Sequence, residues 1–497
     1  MNLIEQFRAR IKKIKAFVYL LQLAGWDSNT EAPRKSHRRR GEIISEISKE
    51  LFFLQTDPEM IKIVNELYGK IDKLDDLLQR EVKKAKKQLD KIINIPQNEY
   101  VEYQRLINDS QIIWEDAKAN NDYDSFKENL AKIIEYNKKF ALYYDPLANP
   151  YDTLLDDYEE GMSMKEYDKF FNALRTDLVP FVKEVLVKDK PLYEKFINDN
   201  FDPKKQEEFC NYLVDVFHFD RNAGLMKKSV HPFTWNTSPE DVRFTTRYLE
   251  NYVFSSIFAA IHELGHALYE QQVSIAYDDT LLNGGTSMGI HESQSRFYEN
   301  TIGRSKEFWE VHLTKFKELF PEQSKDMTVM DMYRAVNQVE ASLIRIEADE
   351  LTYPLHIMLR YDIEQKLINN EISVDDLPSL WNDTIEEYLG IRPNNNSEGV
   401  LQDVHWSGGM IGYFPTYALG TAYSAQIFMA MKKELNVFEL VKNNEIEKIN
   451  LWLKEKLHNY GSSKTPKELL LMITKEEFNP KYYIEYLKEK YTDLYLK

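Results

Sequence analysis

Very little in this sequence would stop a helix once it had started. There are 17 glycines and 17 prolines among 497 residues, roughly half and two thirds of the usual shares. A β-sandwich or barrel needs many tight turns, so this scarcity argues for long helices. Periodicity agrees. Residues 42–53 place Ile43, Ile44, Ile47 and Leu51 at three-to-four spacing among charges, and residues 75–95 repeat the pattern with denser charge. Pro96, Pro146, Pro150, Pro180, Pro191 and Pro203 punctuate further helical runs. Length alone suggests two or three domains. Yet no Pro/Ser/Gly linker, internal repeat or low-complexity tract divides the chain. The expectation is one all-α unit over 1–497, softly divided into an N-terminal helical lobe (1–220) and a catalytic lobe (221–497).

Charge and cysteine usage remove several classes of function. Acids outnumber bases 81 to 64, giving a net charge of −17, which disfavours holding a phosphate backbone as the main task. The basic run from Arg34 to Arg40 is read as a solvated helix start or a positive rim above a cleft, with no nucleic-acid partner. Cys210 is the single cysteine. An internal disulfide is impossible, and a reducing, cytoplasmic setting is expected. The longest apolar-leaning stretches, 16–26 and 252–261, fall short of the ~18 residues that a membrane span requires, so no membrane partner is expected. Near the N-terminus, basic residues precede Phe17–Leu21 and loosely mimic a signal peptide. Glu5, Gln22 and Trp26-Asp27 break the mimicry, and an amphipathic first helix is the preferred reading.

The chemistry centres on His262-Glu263-Leu264-Gly265-His266. It lies in the proline-free stretch 247–273, flanked by Ile257, Phe258, Ile261 and Leu268, which predicts a buried helix. Residues i and i+4 share a helix face, so both imidazoles can address one ion. Glu263 sits one step round, placed to take a proton from a water that the ion acidifies. This is the H-E-x-x-H arrangement of metalloproteases. The bland alternative is a helix with two satisfied core histidines and a surface glutamate. A catalytic site needs a third protein ligand. Tyr269 and Gln272 stand where the metzincin continuation requires Gly and His, so that class is excluded. A carboxylate from a later helix remains. The segment Gly289–Arg296 follows Asn283-Gly284-Gly285 and opens a helix predicted over Glu292–Thr301. Glu292 is the choice, with His291 and Glu299 as competitors. Glu299 equally suits accepting the free N–H of a ligating imidazole.

Further motifs surround this one. They are His231-Pro232-Phe233, Asp241-Val242-Arg243-Phe244-Thr245, His291-Glu292-Ser293-Gln294, Ile391-Arg392-Pro393, and Gly399-Val400-Leu401-Gln402-Asp403-Val404-His405-Trp406. With the H-E-x-x-H pentapeptide they make six, in order, over 231–406, and the chain resembles the thermostable carboxypeptidase (carboxypeptidase Taq) family of zinc metallocarboxypeptidases. Trp26-Asp27, Thr30 and Ala32-Pro33 extend the likeness toward the N-terminus, and no motif position departs. The resemblance implies a saddle-like helical body with a deep groove, similar in outline to angiotensin-converting enzyme and neurolysin. It implies one Zn2+ per chain held by His262, His266 and Glu292, with Co2+ able to substitute. It also implies removal of C-terminal residues with broad side-chain tolerance, and a homodimer.

Two further parts are needed for such hydrolysis. One stabilises the oxyanion. Tyr413 is the first candidate, by likeness to related saddle-shaped peptidases, followed by Tyr417 and His405. The other is a cation for the terminal carboxylate, best a guanidinium. Arg243, Arg345 and Arg392 are the candidates, Arg345 slightly first, each with the alternative of an internal ion pair to Asp241, Glu347 or Asp403. His231 binds substrate backbone or caps a turn. Residues near Phe297 and Tyr298 are suggested as lining a side-chain pocket. The expected reaction is attack of water on the last peptide bond of a peptide with a free C-terminus, with Glu263 as general base and then proton donor to the leaving amine. The alternatives are an oligopeptidase or dipeptidyl carboxypeptidase of the same chemistry, and a non-catalytic peptide-binding protein stapled by zinc.

Overall fold

The computed structural model describes residues 2–188 and 199–497. Pro191 falls outside them. The body is helical, and its prolines mostly begin helices. Pro150 and Pro203 occupy first turns, where a missing N–H costs nothing, and Pro96 is the N-cap of the helix Gln97–Asn120. The first helix, Leu3–Thr30, is closed at its start by a reciprocal Asn2–Glu5 capping box and buries Phe7, Ile11, Ile14 and Trp26. The basic run forms a short turn into the exposed helix His37–Thr56, where Arg38 and Arg39 pair with Glu42 and Arg40 pairs with Asp27. That helix buries no residue: the stripe predicted over 42–53 is only partly covered, and Ile43 stays exposed. The stripe predicted over 75–95 does reach a core, through Leu78, Val82, Ala85 and Leu89 of the helix Asp76–Ile93. Among the described residues no helix is long and apolar enough to cross a membrane.

Two apolar clusters hold the chain together. A small one joins Phe7, Ile11 and Ile14 to the helices Pro58–Tyr68 and Asp76–Ile93, ending at Leu89. The large one runs from Ala117 to Tyr491 and contains the site. Described residues such as Leu130, Phe170 and Val214 therefore share one core with Ile257 and Leu264 of the His262 helix.

Among the described residues, one sheet interrupts the helices. Strands β1 (Gly224–Lys228), β2 (Thr234–Ser238) and β3 (Asp241–Thr246) lie in the order β1-β3-β2. β1 runs parallel and β2 antiparallel to β3. The sheet packs on the helix Val253–Gln272, which carries both H-E-x-x-H histidines and buries most of its length. The helix thus starts at Val253, inside the predicted 247–273, because Arg247–Tyr252 form the connection from β3.

Candidate metal centre

The site is assembled by two close approaches. A Cβ on Gly265 would lie 2.7 Å from Ser295 Cα and 2.8 Å from the Gln294 carbonyl oxygen. Glycine here lets the His262 helix touch the helix Met288–Arg296 directly. On the far side, a Cβ on Gly420 would lie 2.6 Å from Glu292 Cβ. The buried helix Pro415–Met431 therefore presses on the same rod from behind. Glu292 is gripped between the two. Its helix begins at Met288, capped by Ser287, whose hydroxyl accepts from Ile290 N at 3.1 Å. That is one turn earlier than the predicted start at Glu292. After Arg296 the rod continues as a π-turn over Phe297–Gly303, a local form that recurs at functional sites. It turns Phe297 and Tyr298 into the core, at 2% and 0% exposure, with Tyr298 Oη donating to Asn450.

His262, His266 and Glu292 converge, with donor atoms within 4.8 Å of one another. Glu292 Oε2 lies 3.6 Å from His262 Nε2 and 3.5 Å from His266 Nε2. The two competitors face the other ring nitrogens. Glu299 Oε2 accepts from His262 Nδ1 at 2.9 Å, and His291 Nδ1 lies 2.6 Å from His266 Nδ1. His291 Nε2 in turn meets Glu270 Oε1 at 2.7 Å. One tautomer chain satisfies this: His266 donates from Nδ1 to His291, which donates from Nε2 to Glu270. Both ligating candidates then present a lone pair at Nε2, as a divalent ion requires. Two imidazoles and one carboxylate fit zinc in a three-ligand site with an open position.

Burial sets much of the electrostatics. It depresses His266 to about 3, aided by His291 and His262, and keeps that ring neutral. It also depresses His262, but Glu292 and Glu299 more than offset this and leave it raised. Burial lifts the Glu292 and Glu299 carboxyls, yet Arg296 and His262 hold both well below the usual range. Glu263 stands apart from the donors. Its Oε2 is 2.7 Å from Thr234 Oγ1 of β2, and burial raises its carboxyl. The sheet thus supplies a hydrogen-bond partner for Glu263.

Across the site, His405, Tyr413 and Tyr417 form one aromatic cluster. His405 stacks on Tyr413 with ring centres 5.5 Å apart, and Tyr413 and Tyr417 meet edge to face at 5.1 Å. Burial, with Arg345, lowers His405 to about 4. Burial raises both phenols, so all three are neutral near pH 7. Arg345 joins them, with its guanidinium 5.2 Å over the Tyr417 ring and its NH1 3.0 Å from Tyr353 Oη. It also pairs with Asp403 at 2.9 Å, which in turn pairs with Arg360. The other two arginines are engaged elsewhere. Arg243 grips Asp241 through two bonds and stacks on Trp235. Arg392 lies half exposed against Asp383 and Glu386. His231 is exposed, and its carbonyl accepts from Ser229 Oγ at 2.7 Å. Ser229 Oγ also contacts Thr245 Oγ1, which accepts from Phe233 N. The His-Pro-Phe and Asp-x-Arg-x-Thr motifs are thus stitched together as one turn. Sequence reasoning missed Thr234, Glu270 and Arg296. Arg296, four residues after Glu292, was the one with a visible signal.

A helical body with this donor set and a free glutamate beside it defines an H-E-x-x-H metallopeptidase. The family model described as carboxypeptidase Taq (M32) metallopeptidase matches residues 4–491. Carboxypeptidase 1 of Bacillus subtilis is 42% identical over 99% of this chain and 98% of its own length. Thermostable carboxypeptidase 1 of Pyrococcus furiosus is 38% identical over 98% of each. The crystal structure of the M32 carboxypeptidase from Deinococcus radiodurans superposes with a TM-score of 0.96 at 31% identity, covering 100% of both chains. The chain belongs to the carboxypeptidase Taq (M32) metallopeptidase family and is, with it, a metallocarboxypeptidase.

Proposed function

We propose that this protein is a zinc carboxypeptidase that releases single C-terminal residues from peptides, with His262, His266 and Glu292 as the metal ligands. The observation that carries the reading is the convergence of two Nε2 atoms on Glu292 Oε2 while Glu263 stays outside the donor set. A structural staple has no use for such a neighbour. Zinc, or cobalt in its place, supplies Lewis acidity toward the scissile carbonyl and acidifies water when bound.

The chain's own groups do the rest. Glu263, its carboxyl raised and its Oε2 steadied by Thr234, takes the proton of the attacking water and hands it to the leaving amine nitrogen. Tyr413, with Tyr417 and His405 beside it, donates to the oxyanion. Both phenols keep their protons near pH 7 and are therefore donors. Arg345 receives the terminal carboxylate. It is preferred to Arg243 and Arg392 because its guanidinium lies over Tyr417, whereas theirs are paired away from that cluster. His231, exposed beside β2, is assigned to substrate backbone. A cytoplasmic homodimer completes the reading, supported by a buried free cysteine and by exposed apolar residues such as Ile43, Phe53 and Val101.

The test is mass-spectrometric tracking of a peptide with and without a C-terminal amide. A ladder of single-residue losses from the free acid, with the amide untouched, is expected. Dipeptide release, or internal cleavage of the amide, would instead indicate a dipeptidyl carboxypeptidase or an oligopeptidase.

A further inference from the structure

A carboxylate ligand has two oxygens, and whether one or both bind decides how many positions on an ion stay free. The two oxygens of Glu292 have unlike surroundings. Oε2 faces the histidines, 3.6 and 3.5 Å from their Nε2 atoms. Oε1 faces away and accepts from Arg296 Nε at 2.7 Å. The guanidinium is fixed on its other sides. NH1 donates to Glu299 Oε2 at 3.2 Å, and the group lies 5.1 Å from the centre of the Tyr353 ring. Glu299 is itself held by His262 Nδ1 and, at 2.9 Å, by Arg304 NH2. Arg296 thus bonds both the ligand candidate Glu292 and the carboxylate that supports His262.

We propose that Arg296 is a positioning residue that reserves one oxygen of Glu292 and so restricts this carboxylate to ligation through Oε2 alone. The inference rests on the reading of His262, His266 and Glu292 as the metal ligands. Its consequence is a count. With water in the remaining position, a one-oxygen carboxylate and two imidazoles make a four-coordinate ion, whereas a two-oxygen carboxylate raises the count to five. A planar, permanently charged guanidinium suits the task, because it can bond two carboxylates from one rigid fork. Position matters too. An i, i+4 pair on one helix keeps Arg296 beside Glu292 whatever else moves.

Cobalt(II) is the probe, because its visible bands weaken as its coordination number rises. A crystal structure of the cobalt-loaded wild-type protein should show one Glu292 oxygen on the ion and the other on Arg296. Arg296→Gln retains an N–H donor toward Oε1 and should keep the wild-type band intensity. Arg296→Met removes the donor and should lose intensity, with both oxygens on the ion. Both oxygens bound in the wild type, a weakened Gln spectrum, or identical Met and Gln spectra would overturn the proposal. Should the Met variant fail to fold, the wild-type structure and the Gln spectrum still decide. Failure of every form to bind cobalt would refute the donor set itself, a different outcome from two-oxygen binding at intact ligands.

Discussion

The N-terminal helices and the body that carries the metal centre are held together by different forces. In the body, helices meet through glycines and a continuous apolar core. The helix Asp76–Ile93 instead meets the body through a row of polar contacts. Arg80 binds Glu468 through two bonds, Lys84 Nζ lies 2.8 Å from Ser462 Oγ, Lys87 pairs with Asp156, and Lys91 pairs with Asp157. Several of these residues line a cavity of about 960 Å3 that His291 also lines. One wall of the space next to the centre is therefore core, and the other is fastened by charges. Apolar packing fixes ligands to tenths of an ångström; ion pairs near water are worth ~0–1 kcal/mol each and weaken with salt.

The contrast can be broken most directly at Glu263. Glu263→Gln should lower turnover by about 10²–10⁴-fold while metal content stays at the wild-type value by elemental analysis. No charge removal in Asp76–Ile93 should approach that loss, and a Lys87→Ala enzyme equally dead would erase the distinction. Next come paired glycines. Gly265→Ala forces a methyl against backbone and should cost about 1–3 kcal/mol in chemical denaturation. It should also weaken metal binding, because the displaced rod carries Glu292. Gly41→Ala, on an exposed helix with nothing within 4 Å, should instead gain up to about 1 kcal/mol. Equal effects would mean that both regions are packed alike.

Acid–base behaviour sharpens the comparison further. Burial raises Glu159 and Glu364, both in the body, from the ordinary 4.5 to about 7. The folded chain then holds protons that the unfolded chain releases. The stability so gained is complete below about 4.5 and is lost as pH rises through about 7. Glu364→Gln should flatten part of that slope in urea titrations across the window, and an unchanged slope would remove this residue from the account. The smallest effect concerns salt. Raising ionic strength should speed amide exchange in residues 76–93 more than in the His262 helix, and a uniform change would show that the two walls are fastened alike.

What was legible in the sequence follows from range. The i, i+4 histidines and Glu263 needed only one helix and could be read directly. Glu292 was reached by elimination and by the family pattern, since its convergence depends on Gly265 and Gly420, which carry no signal of their own. The small sheet stayed hidden because β1 (Gly-Leu-Met-Lys-Lys) and β2 (Thr-Trp-Asn-Thr-Ser) lack an alternating apolar pattern. The π-turn over Phe297–Gly303 was likewise invisible to periodicity. The choice among three arginines could not be narrowed further, because Arg345 finds Asp403 only when the chain closes on itself.

Gly265 and Gly420 bracket a rod whose only freedom is to stay where it is. Side chains elsewhere in the body can drift in size and be absorbed by neighbours. At these two points a single added carbon moves an oxygen that two imidazoles share. The capacity to gather a third donor thus depends on two missing side chains as much as on the histidines.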